Sequence, residues 1–330
     1  MVMRTILRRC VLAALSLLVP LSFSGAAESF DGSLKDFVRL TVEDGLASNN
    51  VYDVCIDRSG CIWMATAVGL SRYDGMTVTN FFKEEMTVRS NYVNYVYCDS
   101  RGRVWVGTDN GVAIYDGATG KFSNLELLTG VSIESPTAWL FEDGAGTMWV
   151  SFKKNGLMAV DCETFAARRY FYDFPWKDFP YFSRIWFDPA TGLYLLSGFE
   201  NGLYYADLKK EQIVPFRDAE TGEEPFAGRN IKGILRFDEN TFYITCADGT
   251  FLSIDPYSRE GTRIAARFPD NVREVRRINR VSDTILGIAT THGVFFYDTE
   301  TGELLSDKVL KNYPASLLSG EIISDKVLTV

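Results

Sequence analysis

The stretch Asp57-Arg-Ser-Gly60-Cys-Ile-Trp63-Met-Ala-Thr66-Ala-Val-Gly69-Leu-Ser-Arg-Tyr-Asp74-Gly75 decides the fold, because it comes back. It returns as Asp99-Ser-Arg-Gly102-Arg-Val-Trp105-Val-Gly-Thr108-Asp-Asn-Gly111-Val-Ala-Ile-Tyr-Asp116-Gly117, and more loosely from Asp143 through Trp149 and Gly156 to Asp161. A glycine followed by an aspartate five or six residues on extends the series through Gly202 and Asp207, Gly249 and Asp255, and Gly293 and Asp298. The marker glycines 69, 111, 156, 202, 249 and 293 are spaced as four-stranded propeller blades are.

Each unit has a physical reading. A short run such as Val51–Ile56 or Val93–Cys98 forms a first strand. The aspartate of Asp-x-x-Gly then caps turn amides while the glycine supplies a positive φ. The second strand carries the tryptophan, the third runs from the marker glycine to its aspartate, and a fourth such as 120–124 completes an antiparallel blade. The expected class is all-β: a propeller of about seven four-stranded blades, the last incomplete. Units fall near 43–81, 82–125, 126–172, 173–217, 218–263 and 264–308, with a partial one at 309–330. Phe37–Thr41 reads as a lone fourth strand that closes the ring by completing the last blade. An open seventh blade leaves strand edges unpaired, so residues 28–330 alone are expected to be aggregation-prone.

Composition agrees with this class. The 330 residues are 46% hydrophobic and 14% aromatic, which excludes a disordered chain and favours strands. The net charge of −9 has the wrong sign for a nucleic-acid or anionic-membrane partner. A single histidine, His292, excludes multi-histidine zinc sites, and no nucleophile-elbow, phosphate-loop or cofactor-binding motif occurs. Neither a metal nor a cofactor is expected.

Residues 1–27 read as a signal peptide. Arg4, Arg8 and Arg9 form a basic head, Val11 to Phe23 an apolar stretch, and Ser24-Gly25-Ala26-Ala27 a cleavage region. Cleavage takes the basic count from 34 to 31 against 43 acidic residues, a mature charge of −12 and a periplasmic address. No second apolar run reaches membrane-spanning length. Cys55, Cys61, Cys98, Cys162 and Cys246 remain. Cys55 and Cys61 flank one hairpin turn, so a bridge between them is one reading, but the positions favour buried thiols over a disulfide framework.

The opening Leu40-Thr-Val-Glu-Asp-Gly-Leu46-Ala-Ser-Asn-Asn50-Val and the Asp-x-x-Gly-x-x-Trp-x-x-Thr repeats resemble the two-component regulator propeller, the periplasmic sensor half of hybrid histidine kinases. The resemblance is specific over residues 37 to about 165 and only periodic beyond. It implies a sensor of saccharides released from glycans, followed in the family by an immunoglobulin-like domain, a membrane helix and a kinase core. Those modules are not in this chain, so the expected role is ligand binding without catalysis, with an oligosaccharide, downstream kinase modules and a homodimer as expected partners. The alternatives are a secreted lyase or glycoside hydrolase, for which Glu200 with His292 or a pair of carboxylates would be the catalytic feature, and a scaffold without a small ligand.

Trp63, Trp105 and Trp149 recur at one strand position and are read as packing between blades. The aspartates 57, 99 and 143 are read as turn caps, not calcium ligands. Ligand candidates are the loop residues that emerge around the channel on one face. Loops between second and third strands supply Asp109, Lys153, Lys154, Glu200, Asp248 and His292; loops between blades supply Asn91, Tyr92, Trp176, Tyr181, Arg229 and Asn230. Of these, Asn91, Tyr92, Asp109, Lys153, Lys154, Trp176, Tyr181, Glu200, Arg229 and His292 form the expected binding set. The aromatic segment Tyr170–Phe182 fits a sugar-stacking platform, a docking surface or a plug beneath a loop. Arg273, Arg276, Arg277 and Arg280 either hold an anionic group near the channel or pair internally with Asp270, Glu274 and Asp283, the latter being favoured.

Overall fold

The computed structural model describes residues 40–305 except 155, 173–181, 189, 190, 199, 200, 261, 270, 271, 273, 274, 291 and 292. Within these, six four-stranded sheets follow one another, each with its strands hydrogen-bonded in chain order and antiparallel. The chain is a β-propeller, and six blades are described. The expected seventh unit at 309–330 and the residues Phe37 to Arg39 of the proposed closing strand lie outside the described residues. Leu40 and Thr41, the rest of that segment, are not in a strand. Thr41 instead caps a short 3-10 turn, Val42–Asp44, which Gly45 ends at φ 104°.

The first strands are Val51–Ile56, Val93–Cys98, Thr137–Glu142, Phe182–Asp188, Ile231–Arg236 and Val275–Arg280. They are the innermost strands of their blades. Each carries the same irregularity: the pairing with the second strand slips between its first and third residues, as between Val51 and Asp53 or Val93 and Tyr95. A bulge at this place bends the strand and turns the third residue away from the regular alternation.

The repeated motif is a hydrogen-bonded unit. In blade 1, Asp57 Oδ1 accepts the amides of Ser59 and Cys61, and its Oδ2 accepts the Trp63 indole at 2.7 Å. Asp99 does the same for Arg101, Arg103 and Trp105, and Asp143 for Ala145, Thr147 and Trp149. The turn glycine is required because Gly60 sits at φ 83°, where a Cβ would be strained. The threonine that ends the motif closes the next turn, since Thr66 and Thr108 each donate to the carbonyl of the marker glycine at 2.7 Å.

The tryptophans pack as expected, between blades. Trp63 is fully buried and meets Tyr115 of blade 2 at 4.7 Å between ring centres. Trp149 meets Tyr194 of blade 4 at 5.3 Å. The core is therefore a series of inter-blade layers, such as Trp63, Leu70, Val96, Val106 and Ala113 between blades 1 and 2. Burying such side chains stabilises by about 1.5–3 kcal/mol each.

The cysteines correct the expectation of thiols throughout. Cys55, on the first strand of blade 1, is disulfide-bonded to Cys98, on the first strand of blade 2, with Cα atoms 6.0 Å apart. Inner strands converge toward the axis, so neighbouring blades approach there closely enough for a bridge. Cys61 does not pair with Cys55; it is a buried thiol, as are Cys162 and Cys246. Burial pushes the Cys162 thiol up to about 11 and Cys246 to about 12, so both stay protonated.

Candidate functional site

The third residue of each first strand decides what occupies the axis: Asp53, Tyr95, Trp139, Arg184, Gly233 and Arg277. Five of these carry long or polar side chains, and they converge. Arg277 Nη1 donates to Asp53 Oδ1 at 2.8 Å, joining blade 6 to blade 1. The other carboxylate oxygen accepts the Val96 amide of blade 2 at 3.1 Å. Burial pushes the Asp53 carboxyl above the usual carboxylate range, while Arg277 and two backbone amides pull it back.

Arg184 lies against the same group. Its guanidinium sits 3.9 Å from the centre of the Trp139 ring, and that of Arg277 sits 5.5 Å from it. Tyr95 meets Trp139 edge-on at 5.3 Å. Arg184 donates through Nε to the Lys232 carbonyl and through Nη1 to the Ser183 carbonyl, and it hydrogen-bonds Tyr95. Among the described residues no carboxylate forms an ion pair with it. Burial accordingly holds Arg184 below the usual arginine range.

One residue earlier in the first strands, toward the mouth of the channel, stand Tyr52, Asn94, Ala138, Ser183 and Lys232. Tyr52 and Tyr92 stack at 5.0 Å, and both remain more than a third exposed. The hydrogen bond that the Tyr92 hydroxyl donates to Tyr52, helped by partial burial, raises Tyr92 to about 12. Beside them Asn94 Nδ2 donates to Asp109 Oδ1 at 2.9 Å.

The expected binding set therefore divides. Tyr92 and Asp109 come together at the mouth. Asn91 is half-buried and serves the backbone, its Oδ1 accepting the Lys83 amide. Lys153 and Lys154 are exposed, with no described ion pair. Arg229 is held by Asp248, Thr250 and the Pro225 carbonyl and lines a separate cavity of about 600 Å³ over blade 5. Trp176, Tyr181, Glu200 and His292 lie outside the described residues, as does most of the aromatic segment Tyr170–Phe182. At its ends, Phe171 and Phe182 are buried and edge-packed at 5.1 Å. Among the described residues Arg277 pairs internally with Asp53 from the opposite end of the chain, a carboxylate outside the expected set. Arg280 donates to the Asp283 backbone carbonyl at 3.5 Å and stacks over Phe237. Arg273, Asp270 and Glu274 lie outside the described residues.

Sequence reasoning missed Asp53, Tyr95, Trp139 and Arg184. Aligning the first strands on the turn aspartate and reading down the third column would have found them.

Among the described residues no group of histidines, cysteines and carboxylates could hold a metal ion. Among them no helix is long and apolar enough to cross a membrane.

Residues 45–67 and 87–110 match the family described as two component regulator propeller. No curated protein matches the chain significantly. Among solved structures, the extracellular domain of the hybrid two component system BT3049 from B. thetaiotaomicron is similar over 80% of this chain and 36% of its own, at 21% identity and TM-score 0.64. That of BT4673 from the same organism aligns over 78% of this chain and 36% of its own, at 21% identity and TM-score 0.61. The chain thus spans about a third of the length of these neighbours. Virginiamycin B lyase from Staphylococcus aureus shares the fold over 83% of this chain and 89% of its own, at 13% identity and TM-score 0.62. The matched segments fall on blades 1 and 2, so the chain is a β-propeller whose first two blades carry segments similar to the two component regulator propeller.

Proposed function

We propose that the chain is the extracytoplasmic ligand-sensing propeller of a hybrid two-component system, delivered by a signal peptide over residues 1–27. It binds an oligosaccharide from glycan breakdown on its channel face and passes the signal to a kinase module that is not in this chain. It is a binding module, not an enzyme. The observation that carries this reading is the pair of family repeats at 45–67 and 87–110, whose loops place Tyr92 and Asp109 at the channel mouth. A fold held in common with extracellular domains of hybrid systems supports it. Signalling would be a population shift, the sugar favouring one arrangement of the propeller and its neighbouring domains, in a dimer. The likeness to the lyase, at 13% identity, is a likeness of fold.

The test is a thermal-melting screen of the purified chain against oligosaccharides, with reducing-end or unsaturated products assayed in parallel. A ligand at a hundred times its Kd adds about 2.7 kcal/mol, which for a chain of this size raises the Tm by about 4 °C. A shift without product formation is expected. Turnover would establish the enzyme reading instead, and silence across the screen would favour an interaction scaffold.

A further inference from the structure

Among the described residues, the inner strands carry a charge opposite in sign to that of the chain. Among the described side chains at the second and third positions of the six first strands stand three basic residues, Arg184, Lys232 and Arg277, and one acidic residue, Asp53. The whole sequence, by contrast, carries 43 acidic residues against 34 basic ones. Arg184 and Arg277, gathered over one indole ring, repel each other, and an arrangement of this kind is relieved by a bound anion.

Three local observations point the same way. Asp53 bonds Arg277 and the Val96 amide and also attracts Arg184, but one carboxylate facing two guanidinium groups leaves one positive charge over. The described groups in direct contact with the Arg184 guanidinium are two backbone carbonyls, the Tyr95 hydroxyl and the face of Trp139, all of them neutral. The Trp139 Nε1–H is buried and, among the described residues, meets no acceptor, although buried donors of this kind are normally paired. The cluster thus holds a surplus cation and an orphan donor side by side. Directly above, one residue along the strand from Asp53, the exposed Tyr52 and its neighbour Tyr92 offer flat faces on which a sugar ring stacks.

We infer that the channel takes an anionic sugar, its ring on Tyr52 and Tyr92 and its negative group directed down the axis to Arg184, Arg277 and Trp139 Nε1. The inference rests on the sensor reading and adds the class of ligand. A carboxylate and a sulfate share this chemistry, since each presents paired oxygens to a guanidinium.

The experiment is calorimetric titration of the full chain with four probes: a uronic-acid oligosaccharide, its methyl ester, a sulfated neutral oligosaccharide and inorganic sulfate. The free acid or the sulfated sugar is expected to bind at least about tenfold more tightly than the ester, and whichever binds identifies the anion. That preference should weaken as salt rises. Arg184→Met should abolish the preference for the charged sugar, and Tyr52→Ala should weaken charged and neutral sugars alike. The comparison of acid with ester uses the unaltered protein, so a variant that fails to fold does not remove the test. Equal binding of acid, ester and sulfated sugar would overturn the inference and leave the sensor reading standing. No binding by any sugar would overturn both, and binding of inorganic sulfate with no sugar would also defeat the inference.

Discussion

Blades 1 to 3 and blades 4 to 6 reach the same geometry by different bonds. In the first half one carboxylate binds two turn amides and a tryptophan indole, three times over. In the second half the turn persists but the indole bond does not. Asp188 accepts from Thr191 at 2.7 Å and, in place of an indole, from the Tyr257 hydroxyl of blade 5 at 2.8 Å. Asp238 accepts the amides of Asn240 and Thr241. In blade 6 a serine takes the place, Ser282 Oγ accepting the Ile285 amide at 3.1 Å. Trp186 stands on a first strand instead of a second, and packs edge-on against Phe242 at 4.5 Å. The fold requires a capped turn and a large ring between blades; only the first half joins the two through an aspartate and a tryptophan of the same blade.

The largest expected effect comes where the two halves meet. Arg277→Met leaves Asp53 buried without its cation and should cost about 3–5 kcal/mol in urea unfolding, while Asp53→Asn together with Arg277→Met should recover most of the loss. If the single variant cost under about 1 kcal/mol, the bond between blades 6 and 1 would be of no consequence for closure.

Trp105→Ala tests the first half alone. The ring is fully buried, and its loss should cost about 3–5 kcal/mol. A smaller effect would mean that the layer between blades 2 and 3 collapses around the gap.

The comparison is sharpened by removing the cap from each half. Asp143 is buried and serves two amides and an indole, so Asp143→Ala should cost about 2–3 kcal/mol. Asp238 is exposed and serves two amides, so Asp238→Ala should cost less than about 1 kcal/mol. Equal costs would show that the indole bond adds nothing to the turn.

The smallest effect is a pH dependence in the second half. Hydrogen bonds from Thr262 and Thr221 hold the folded Asp218 at about 2, below its ordinary 3.8. Its contribution to stability is complete above pH 3.8 and is lost as the pH falls from there through about 2. Asp218→Asn should flatten the acid limb of the melting curve between those values, and an unchanged limb would contradict the assignment.

What could be read in the sequence follows the same division. The strands Val51–Ile56 and Val93–Cys98 stand where the motif places them, because Asp57 and Asp99 fix the turn that follows. The axial cluster was legible only as a column and not as a motif, because its members share a strand position but no residue type. Asp53, Trp139 and Arg184 look unrelated until six strands are arranged around one axis, and the bulge before each conceals its facing. The bridge was hidden for a similar reason. Cys98 aligns with Ile56 of the preceding repeat, not with Cys55, so the column suggested a core position where the ring brings two neighbouring rows together.

That bridge bears on how the protein is made. Its two cysteines are 43 residues apart, with Cys61 the only other cysteine between them. If the chain is exported as proposed, both partners emerge into an oxidising compartment before Cys162 and Cys246, so the correct pair can close while the later cysteines are still behind. Synthesis in a reducing cytosol removes this head start: oxidation after purification would act on all the thiols at once, and mispaired chains would accumulate.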